Sequence, residues 1–282
     1  MPFVWTLVGS VAALYVAFGL LVYLRQAAYV YYPVRRVDLT PEDVNIAYDE
    51  VRFRSEDGET LAGWFVPAFG GDPGGHDGRG AETVLFCHGN GGNLSDRLDT
   101  IVVFHHWRMN VFIFDYRGYG NSTGKPTEQG TYLDARAAWN YLTEARGIPP
   151  DRIALYGRSL GAAVASHLAV DVHPPALIME STFTSAPDMA AVMFPWLPGR
   201  LVCRFRYDNL ERIGQVRCPV LIAHGGGDRM IPYAQGRRLY EAANRPKTFV
   251  ELKGDHNSGG LGVEPAYQRE AKAFLMRHLE DD

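Results

Sequence analysis

The chain has 282 residues, of which 46% are hydrophobic and 21% are charged, so it is long and apolar enough to bury a large core. This composition suits one α/β domain, and we find neither an internal repeat nor a second domain. A net charge of −4 without a run of basic residues gives no electrostatic basis for binding nucleic acid. The three cysteines cannot all pair internally, so the sequence contains no disulfide framework and favours a reducing compartment.

The chain begins with an apolar segment, residues 3–24, that contains no charged side chain. As a helix this segment extends roughly 33 Å at about 1.5 Å per residue, which is enough to cross a bilayer. A cleaved signal peptide is the main alternative, but it requires a basic stretch before the apolar run, and none precedes Phe3. We therefore predict a single-pass membrane anchor at 3–24, followed by a juxtamembrane linker at 25–47.

The charges around the anchor indicate its orientation. No basic side chain precedes the segment, whereas Arg25, Arg35 and Arg36 follow it. Because positive charge is enriched on the cytoplasmic side of membrane proteins, this asymmetry places the rest of the chain in the cytoplasm.

Small residues inside the anchor raise the question of self-association. Gly9, Ala13 and Ala17 recur every four residues and would line one face of a helix, which is the spacing used in close helix pairing. Membrane helices are rich in small residues for other reasons as well. A homodimer through this face and an ordinary anchor both remain open.

Strand and helix patterns alternate over the remaining chain, 48–282. Alternating apolar residues on either side of Asp57-Gly58 predict a β-hairpin, and the glycine-rich stretch 70–80 predicts a loop. The predicted strands cover residues 51–54, 60–66, 83–87, 111–114, 152–156, 176–179, 219–223 and 248–252, and the clearest helices cover 128–146, 234–243 and 265–279. This alternation predicts a mostly parallel sheet with helices on both faces.

The most informative motif is the G-x-S-x-G sequence at 157–161. The bare pattern is common by chance, but here a predicted strand precedes it and an alanine-rich helical pattern, 162–170, follows it. A serine on the sharp turn between strand and helix exposes its hydroxyl at a helix N-terminus, where negative charge is favoured. Ser159 is therefore the candidate nucleophile.

A nucleophilic serine requires a histidine base and an acid that orients the base. Asp228 and His256 each follow a predicted strand, and they come after the serine in the order acid, then histidine. We predict that Ser159, Asp228 and His256 form a catalytic triad. Glu180 also ends a strand and remains an alternative acid, whereas Asp255 adjoins the histidine, and neighbouring side chains diverge.

A second set of groups is needed to stabilise an oxyanion. The sequence His-Gly-Asn-Gly-Gly-Asn at 88–93 follows a buried strand, and its glycines allow the backbone to turn its N–H groups towards the serine. We predict that the backbone N–H groups of Asn90 and Leu160 form the oxyanion hole. The alternative, a phosphate-binding loop, lacks the lysine and the serine or threonine of a P-loop.

A segment between two strands, residues 182–217, is placed where a lid would cover the site, and we call it the lid. Within it, residues 189–205 contain a run of apolar and aromatic side chains. A short lid that packs on the core is one interpretation of this run. The other is a segment that lines an acyl pocket or dips into a lipid surface.

These motifs resemble the α/β-hydrolase superfamily, and within it the Bem46-like group, which includes the ABHD13- and ABHD17-type hydrolases. The resemblance covers about residues 48–279. It rests on the segments 88–93, 115–122, 157–161, 180–185 and 206–208, together with Asp228 and His256.

The resemblance implies the α/β-hydrolase fold, the triad Ser159, Asp228 and His256, and an oxyanion hole at Asn90 and Leu160. Two features depart from the family pattern. Asp255 stands where we expect glycine before the histidine, and three glycines at 225–227 are expected to loosen the loop that carries the acid.

From the sequence we expect a membrane-anchored serine hydrolase that cleaves small acyl esters, thioesters or lipids, without a metal or an organic cofactor. An amidase or peptidase could use the same triad, because histidine can protonate an amine leaving group. A membrane-tethered interaction protein that has the fold without catalysis is the third hypothesis.

Overall fold

An eight-stranded sheet forms the centre of the computed structural model, which describes residues 1–70 and 81–279. Apart from Gly70, the loop expected at 70–80 lies outside these residues. The strands are β1 (Asp49–Arg54), β2 (Thr60–Val66), β3 (Thr83–Cys87), β4 (Asn110–Phe114), β5 (Ile153–Arg158), β6 (Leu177–Glu180), β7 (Val220–Gly225) and β8 (Lys247–Leu252). Their order across the sheet is β1-β2-β4-β3-β5-β6-β7-β8.

Most neighbouring strands in this sheet are parallel. Only β2 pairs in antiparallel fashion, with β1 in the predicted hairpin and with β4 on its other side. The hairpin turn contains Gly58 at a φ of 93°, a conformation that glycine adopts without steric cost. The predicted fold class is thus confirmed. Strands β3 to β8 all end at one edge of the sheet, which we call the carboxyl edge.

Helices cover both faces of the sheet. They are α1 (Pro2–Leu24), α2 (Gln26–Val30), α3 (Leu98–His106), α4 (Glu128–Asn140), α5 (Leu160–Val172), α6 (Ala186–Met193), α7 (Gly199–Val202), α8 (Asn209–Ile213), α9 (Tyr233–Ala242) and α10 (Pro265–Leu279). Alternate residues of β3 divide between two cores, because successive side chains of a strand point to opposite faces. Leu85 and Cys87 pack with α4 and α5, whereas Val84 and Phe86 pack with α3 and α10.

The N-terminal helix α1 is largely exposed, and within residues 1–70 and 81–279 it is the one helix long and apolar enough to cross a membrane. The segment after it is attached to the domain. Residues 32–33 pair with 91–92, beside the predicted oxyanion loop. Tyr31 is buried, and its hydroxyl lies 2.7 Å from that of Tyr207. The predicted linker at 25–47 therefore includes residues of the core, which its aromatic content alone did not indicate.

Candidate active site

Ser159 lies on a sharp turn between β5 and α5. Its φ of 54° and ψ of −118° are strained for a residue with a side chain, so the surrounding structure must hold the turn in place. Two glycines make this possible. A Cβ on Gly161 would overlap the carbonyl of Cys87, and one on Gly157 would lie 2.5 Å from the Ala162 Cα. The G-x-S-x-G motif is thus required by close packing of strand, turn and helix.

Asp228 and His256 are brought together from the loops after β7 and β8. The His256 Nδ1 donates to the Asp228 Oδ2 at 2.8 Å, and both residues are buried. The other carboxylate oxygen accepts the backbone N–H groups of Met230 and Ile231 at 2.9 and 2.8 Å. Burial alone would favour the neutral acid, but these bonds outweigh it and lower the pKa of Asp228 below its ordinary value. The carboxylate is therefore charged and fixed in position.

His224 shapes the turn that carries this acid. Its Nε2 donates to the Ile231 carbonyl at 3.0 Å and lies 3.5 Å from the Asp228 carboxylate. Burial lowers the pKa of His224, so the ring is neutral near pH 7. The turn around Asp228 is thus closed by a side chain that adds no charge to the site.

Ser159 and His256 line one cavity, beside the predicted oxyanion residues Asn90 and Leu160. Within the described residues, no hydrogen bond joins the Ser159 hydroxyl to His256. Such a bond is often long before substrate binds, so its absence is compatible with proton transfer between the two groups. The structure places all five predicted site residues, Asp228 included, at the carboxyl edge.

Two tyrosine hydroxyls donate hydrogen bonds to backbone carbonyls of the predicted oxyanion loop. The Tyr116 hydroxyl donates to the His88 carbonyl at 3.0 Å, and the Tyr119 hydroxyl donates to the Asn90 carbonyl at 2.8 Å. The backbone N–H of Tyr32 also donates to that Asn90 carbonyl, at 3.0 Å. The Asn90 carbonyl is thus hydrogen-bonded, whereas its backbone N–H has no acceptor among the described residues. This N–H is therefore available to a ligand.

Glu180, the alternative acid, contacts a different partner. Its carboxylate lies 3.2 Å from the Arg158 Nε and accepts the Tyr156 hydroxyl at 2.7 Å. Arg158 in turn donates to the backbone carbonyl of His256 at 2.8 Å. The ion pair of Glu180 and Arg158 therefore positions the backbone of the His256 loop and forms no hydrogen bond with the imidazole. Sequence reasoning missed this role of Arg158, although the opposite charges at the ends of neighbouring strands were a signal for it.

Asp255 binds the backbone of its own loop. Its carboxylate accepts the N–H groups of Asn257 and Ser258, both at 3.0 Å. These bonds lower the pKa of Asp255 to about 2. The residue that departs from the family pattern thus stabilises the turn that presents His256.

Gly225, the first of the three glycines expected to loosen the acid loop, is closely packed. A Cβ on Gly225 would lie 2.5 Å from the carbonyl of Gly254, in the histidine loop. Glycine is needed there because the two loops pack closely. At this position the glycine tightens the contact between the acid and histidine loops.

The cavity has a volume of about 1110 Å³, which is large for a small-molecule site. One end, near Ser159, is lined by arginine and aspartate side chains. The other end is apolar and is formed by α1, α2 and the lid. Its wall includes Val22, Met189, Leu197 and Val202. Such a cavity can hold a long apolar chain with its polar end beside the serine.

No group of three histidine, cysteine, aspartate or glutamate side chains in residues 1–70 and 81–279 is placed to hold a metal ion. The three cysteines are unpaired thiols, of which Cys87 and Cys218 are buried.

Known proteins resemble the chain in sequence and in fold. The family described as alpha/beta hydrolase fold matches residues 82–202. An uncharacterized protein of Mycobacterium tuberculosis is 40% identical over 249 residues, which cover 87% of this chain and 86% of the relative. Protein bem46 of Schizosaccharomyces pombe is 34% identical over 234 residues, which cover 79% of this chain and 75% of the relative.

Among solved structures, the esterase Pf2001 of Pyrococcus furiosus matches with a TM-score of 0.71 and 21% identity, covering 88% of this chain and 100% of that chain. At this identity the match supports the fold alone. The sequence relatives carry the family assignment, and the predicted resemblance is confirmed. The chain belongs to the α/β-hydrolases, and among them to the Bem46-like group.

Proposed function

We propose that the chain is a membrane-anchored serine hydrolase that cleaves carboxylic esters or thioesters. One observation carries the proposal: the 2.8 Å hydrogen bond between His256 and Asp228 lies beside Ser159, which occupies a strained turn at the wall of a large cavity. A nucleophile, a base and an orienting acid in this arrangement are the parts that acyl transfer requires.

In the proposed reaction, the Ser159 Oγ attacks the acyl carbonyl while His256 accepts the hydroxyl proton. Asp228 keeps the imidazole in the productive tautomer and stabilises its positive charge. The N–H groups of Asn90 and Leu160 bind the oxyanion of the tetrahedral intermediate. His256 then gives its proton to the departing alcohol or thiol, and a water molecule cleaves the acyl-enzyme by the same steps in reverse.

The shape of the cavity favours substrates with a long acyl chain. Its apolar end is bounded by Met189, Leu197 and Val202, and the polar end by Arg97 and Arg158. A short acyl group would fill little of about 1110 Å³, whereas a lipid or a lipidated substrate would bury its chain there. Anchoring by α1 would keep the enzyme near such substrates.

The anchor belongs to the same proposal. Helix α1 has 23 residues, and most of its side chains are exposed, so a bilayer would cover an apolar surface that water otherwise contacts. Arg25, Arg35 and Arg36 favour a cytoplasmic catalytic domain. Pairing of two copies through the face of Gly9, Ala13 and Ala17 stays a prediction.

The proposal is tested by hydrolysis of matched p-nitrophenyl esters, thioesters and anilides by the full chain in detergent. Ser159→Ala is the control, because it removes the nucleophile with a small change in volume. We expect ester and thioester hydrolysis that this substitution abolishes. Equal rates from the two proteins would refute a serine mechanism, and cleavage of anilides in preference to esters would favour the amidase hypothesis.

A further inference from the structure

The lid contains an exposed apolar segment, residues 192–202, which we call the lid tip. It lies against α1 at a position well inside the apolar part of that helix. The Tyr15 hydroxyl donates to the Trp196 carbonyl at 2.8 Å, and the rings of Phe18 and Trp196 are 5.0 Å apart. A side chain at Gly19 would touch Leu197 at 3.7 Å. The lid tip and the proposed anchor are therefore in direct contact.

The position of this contact along α1 sets the depth of the lid tip. A helix rises about 1.5 Å per residue, so Tyr15 lies about 14 Å from Leu24, where α1 ends. The hydrocarbon layer of a bilayer is about 30 Å thick. If α1 crosses that layer, Trp196 lies at the depth of Tyr15, well inside the hydrocarbon.

The outward side chains of the lid tip suit that environment. Trp196 is 54% exposed and Leu201 is 87% exposed, and neither lines the cavity. Leu197 and Val202, in contrast, are part of the cavity wall. The lid tip thus has one apolar surface that faces outwards and another that faces the active site. Contact with lipid would bury the outer surface.

The backbone of the lid tip has few unpaired polar groups, as lipid contact requires. Pro195 and Pro198 have no N–H to satisfy. The N–H groups of Leu197, Leu201 and Val202 donate to carbonyls within the lid tip.

Side chains of α1 and α2 form hydrogen bonds with further backbone groups of the lid. Tyr15 donates to the carbonyl of Trp196. The Gln26 amide donates to the carbonyl of Val202 at 2.9 Å and accepts the N–H of Arg204 at 2.7 Å. Polar backbone groups at the joint between lid and helix are thus paired.

The two arginines in and after the lid tip lie where charge is tolerated. The Arg204 guanidinium lies 5.6 Å from the centre of the Tyr23 ring. Tyr23 is near the end of α1, so this arginine lies at the level of the membrane interface. Arg200 is paired with the carboxylate of Asp188 at 3.0 Å, which compensates its charge. Long arginine side chains can reach the interface from a position below it.

We propose that the lid tip lies in the hydrocarbon of the leaflet next to the domain, so that the cavity wall it shares with α1 lies at the depth of the acyl chains of that leaflet. The inference rests on the proposed anchoring by α1. Val22 and Gln26 from the helices and Leu197 and Val202 from the lid tip form adjoining parts of the same cavity wall, where the Gln26 amide donates to the Val202 carbonyl.

The depth of the lid tip can be measured with a fluorophore on Leu201→Cys, in a Cys203→Ser background that leaves two buried thiols. The full chain is reconstituted in phosphatidylcholine vesicles that contain lipids with a nitroxide on the acyl chain. Asp151→Cys is the matched control, because this exposed residue precedes β5 at the opposite edge of the sheet.

We expect strong quenching at position 201 and none at 151. Equal quenching at both positions in protein that floats with the vesicles would overturn the inference while leaving the anchor intact. Protein that does not float would refute the anchor, and the inference with it. Ester hydrolysis in detergent depends neither on the anchor nor on the depth of the lid tip, so it reports separately on the serine mechanism.

A second measurement uses activity. Leu201→Ser should leave hydrolysis of a soluble short-chain ester unchanged and reduce hydrolysis of a vesicle-embedded long-chain ester about fivefold, because the lid tip loses apolar contact with lipid. Phe69→Ser is the control: this residue is 58% exposed and lies at the opposite edge. Equal effects of the two substitutions on the embedded substrate would contradict lipid contact at the lid tip.

Discussion

At the carboxyl edge of the sheet the cavity is bounded by backbone turns and buried polar pairs, whereas its other end is bounded by apolar side chains of the lid and the N-terminal helices. The first end is fixed by close packing, as at Gly161 and Gly225, and by the pair of Arg158 and Glu180. The second depends on ring contacts such as that of Tyr29 with Phe194, whose centroids are 5.3 Å apart. The comparison suggests that the first end determines the rate of reaction and the second selects the substrate.

The largest loss of activity should come from a substitution that removes the acid orienting His256. In Asp228→Asn the neutral amide no longer stabilises the positive imidazolium, and its NH₂ group can hold the imidazole in the unproductive tautomer. We expect kcat to fall about 10³- to 10⁴-fold for every ester, short or long. Initial rates at saturating substrate measure this, with the melting temperature as a check that the fold persists. A loss confined to long-chain substrates would contradict the division between the two ends.

A smaller loss is expected from Arg158→Lys, which keeps the charge beside Glu180 but cannot also reach the His256 carbonyl with a planar guanidinium. Misplacing the histidine loop should lower kcat about 10- to 100-fold and leave KM unchanged. Arg152→Lys is the control, because Arg152 pairs with Glu82 at the opposite edge at 2.9 Å. If both variants lost the same activity, Arg158 would have no positioning role.

The apolar end is tested by narrowing it. Ala190 lines the cavity, and its neighbour Ala191 does not. We expect Ala190→Phe to reduce the ratio of long-chain to short-chain kcat/KM about tenfold, since it fills space that the chain would occupy. Ala191→Phe should leave this ratio unchanged. A uniform loss for all chain lengths in Ala190→Phe would show that the wall affects catalysis rather than selection.

The smallest effect concerns helix α5, which follows the turn that carries Ser159. Burial lowers the pKa of His167 to about 4 from 6.5, and its ring stacks on that of Tyr132 with centroids 3.7 Å apart. Between these pH values the unfolded chain binds a proton that the folded chain does not, so stability falls as the pH falls from 6.5 to 4.

Because His167 is partly exposed, solvent screening reduces this contribution to about 1 kcal/mol, or roughly 2 to 4 °C in melting temperature. Thermal unfolding in detergent should therefore show a shallower loss in His167→Phe than in the wild type over this window. An identical pH dependence in both proteins would rule out a contribution from His167.

Much of the carboxyl edge could be predicted, because local patterns determine it. The strand, turn and helix around Ser159 are contiguous in the sequence, and Asp228 and His256 directly follow their strands. Glu180 could be recognised as an acid at the same edge, but its partner could not, since the choice between Arg158 and His256 depends on side-chain direction. The close approach at Gly225 also depends on how two loops pack.

The apolar end could be predicted only in part. Residues 3–24 and 189–205 are visibly apolar, but their mutual contact joins positions far apart in the chain, as Tyr15 and Trp196 are. No local pattern specifies such a pairing. For the same reason the local pattern of residues 25–47 predicts only a linker, whereas the segment contributes Tyr31 to the core.

The central claim is that Ser159 is the acyl-transfer nucleophile, and covalent labelling tests it most directly. The full chain in detergent is treated with a fluorophosphonate probe, digested and mapped by mass spectrometry, with Ser159→Ala treated in parallel. The account predicts one modified peptide, carrying the probe on Ser159, and no labelling of the variant. An unlabelled wild type, or a probe attached elsewhere in both proteins, would contradict it.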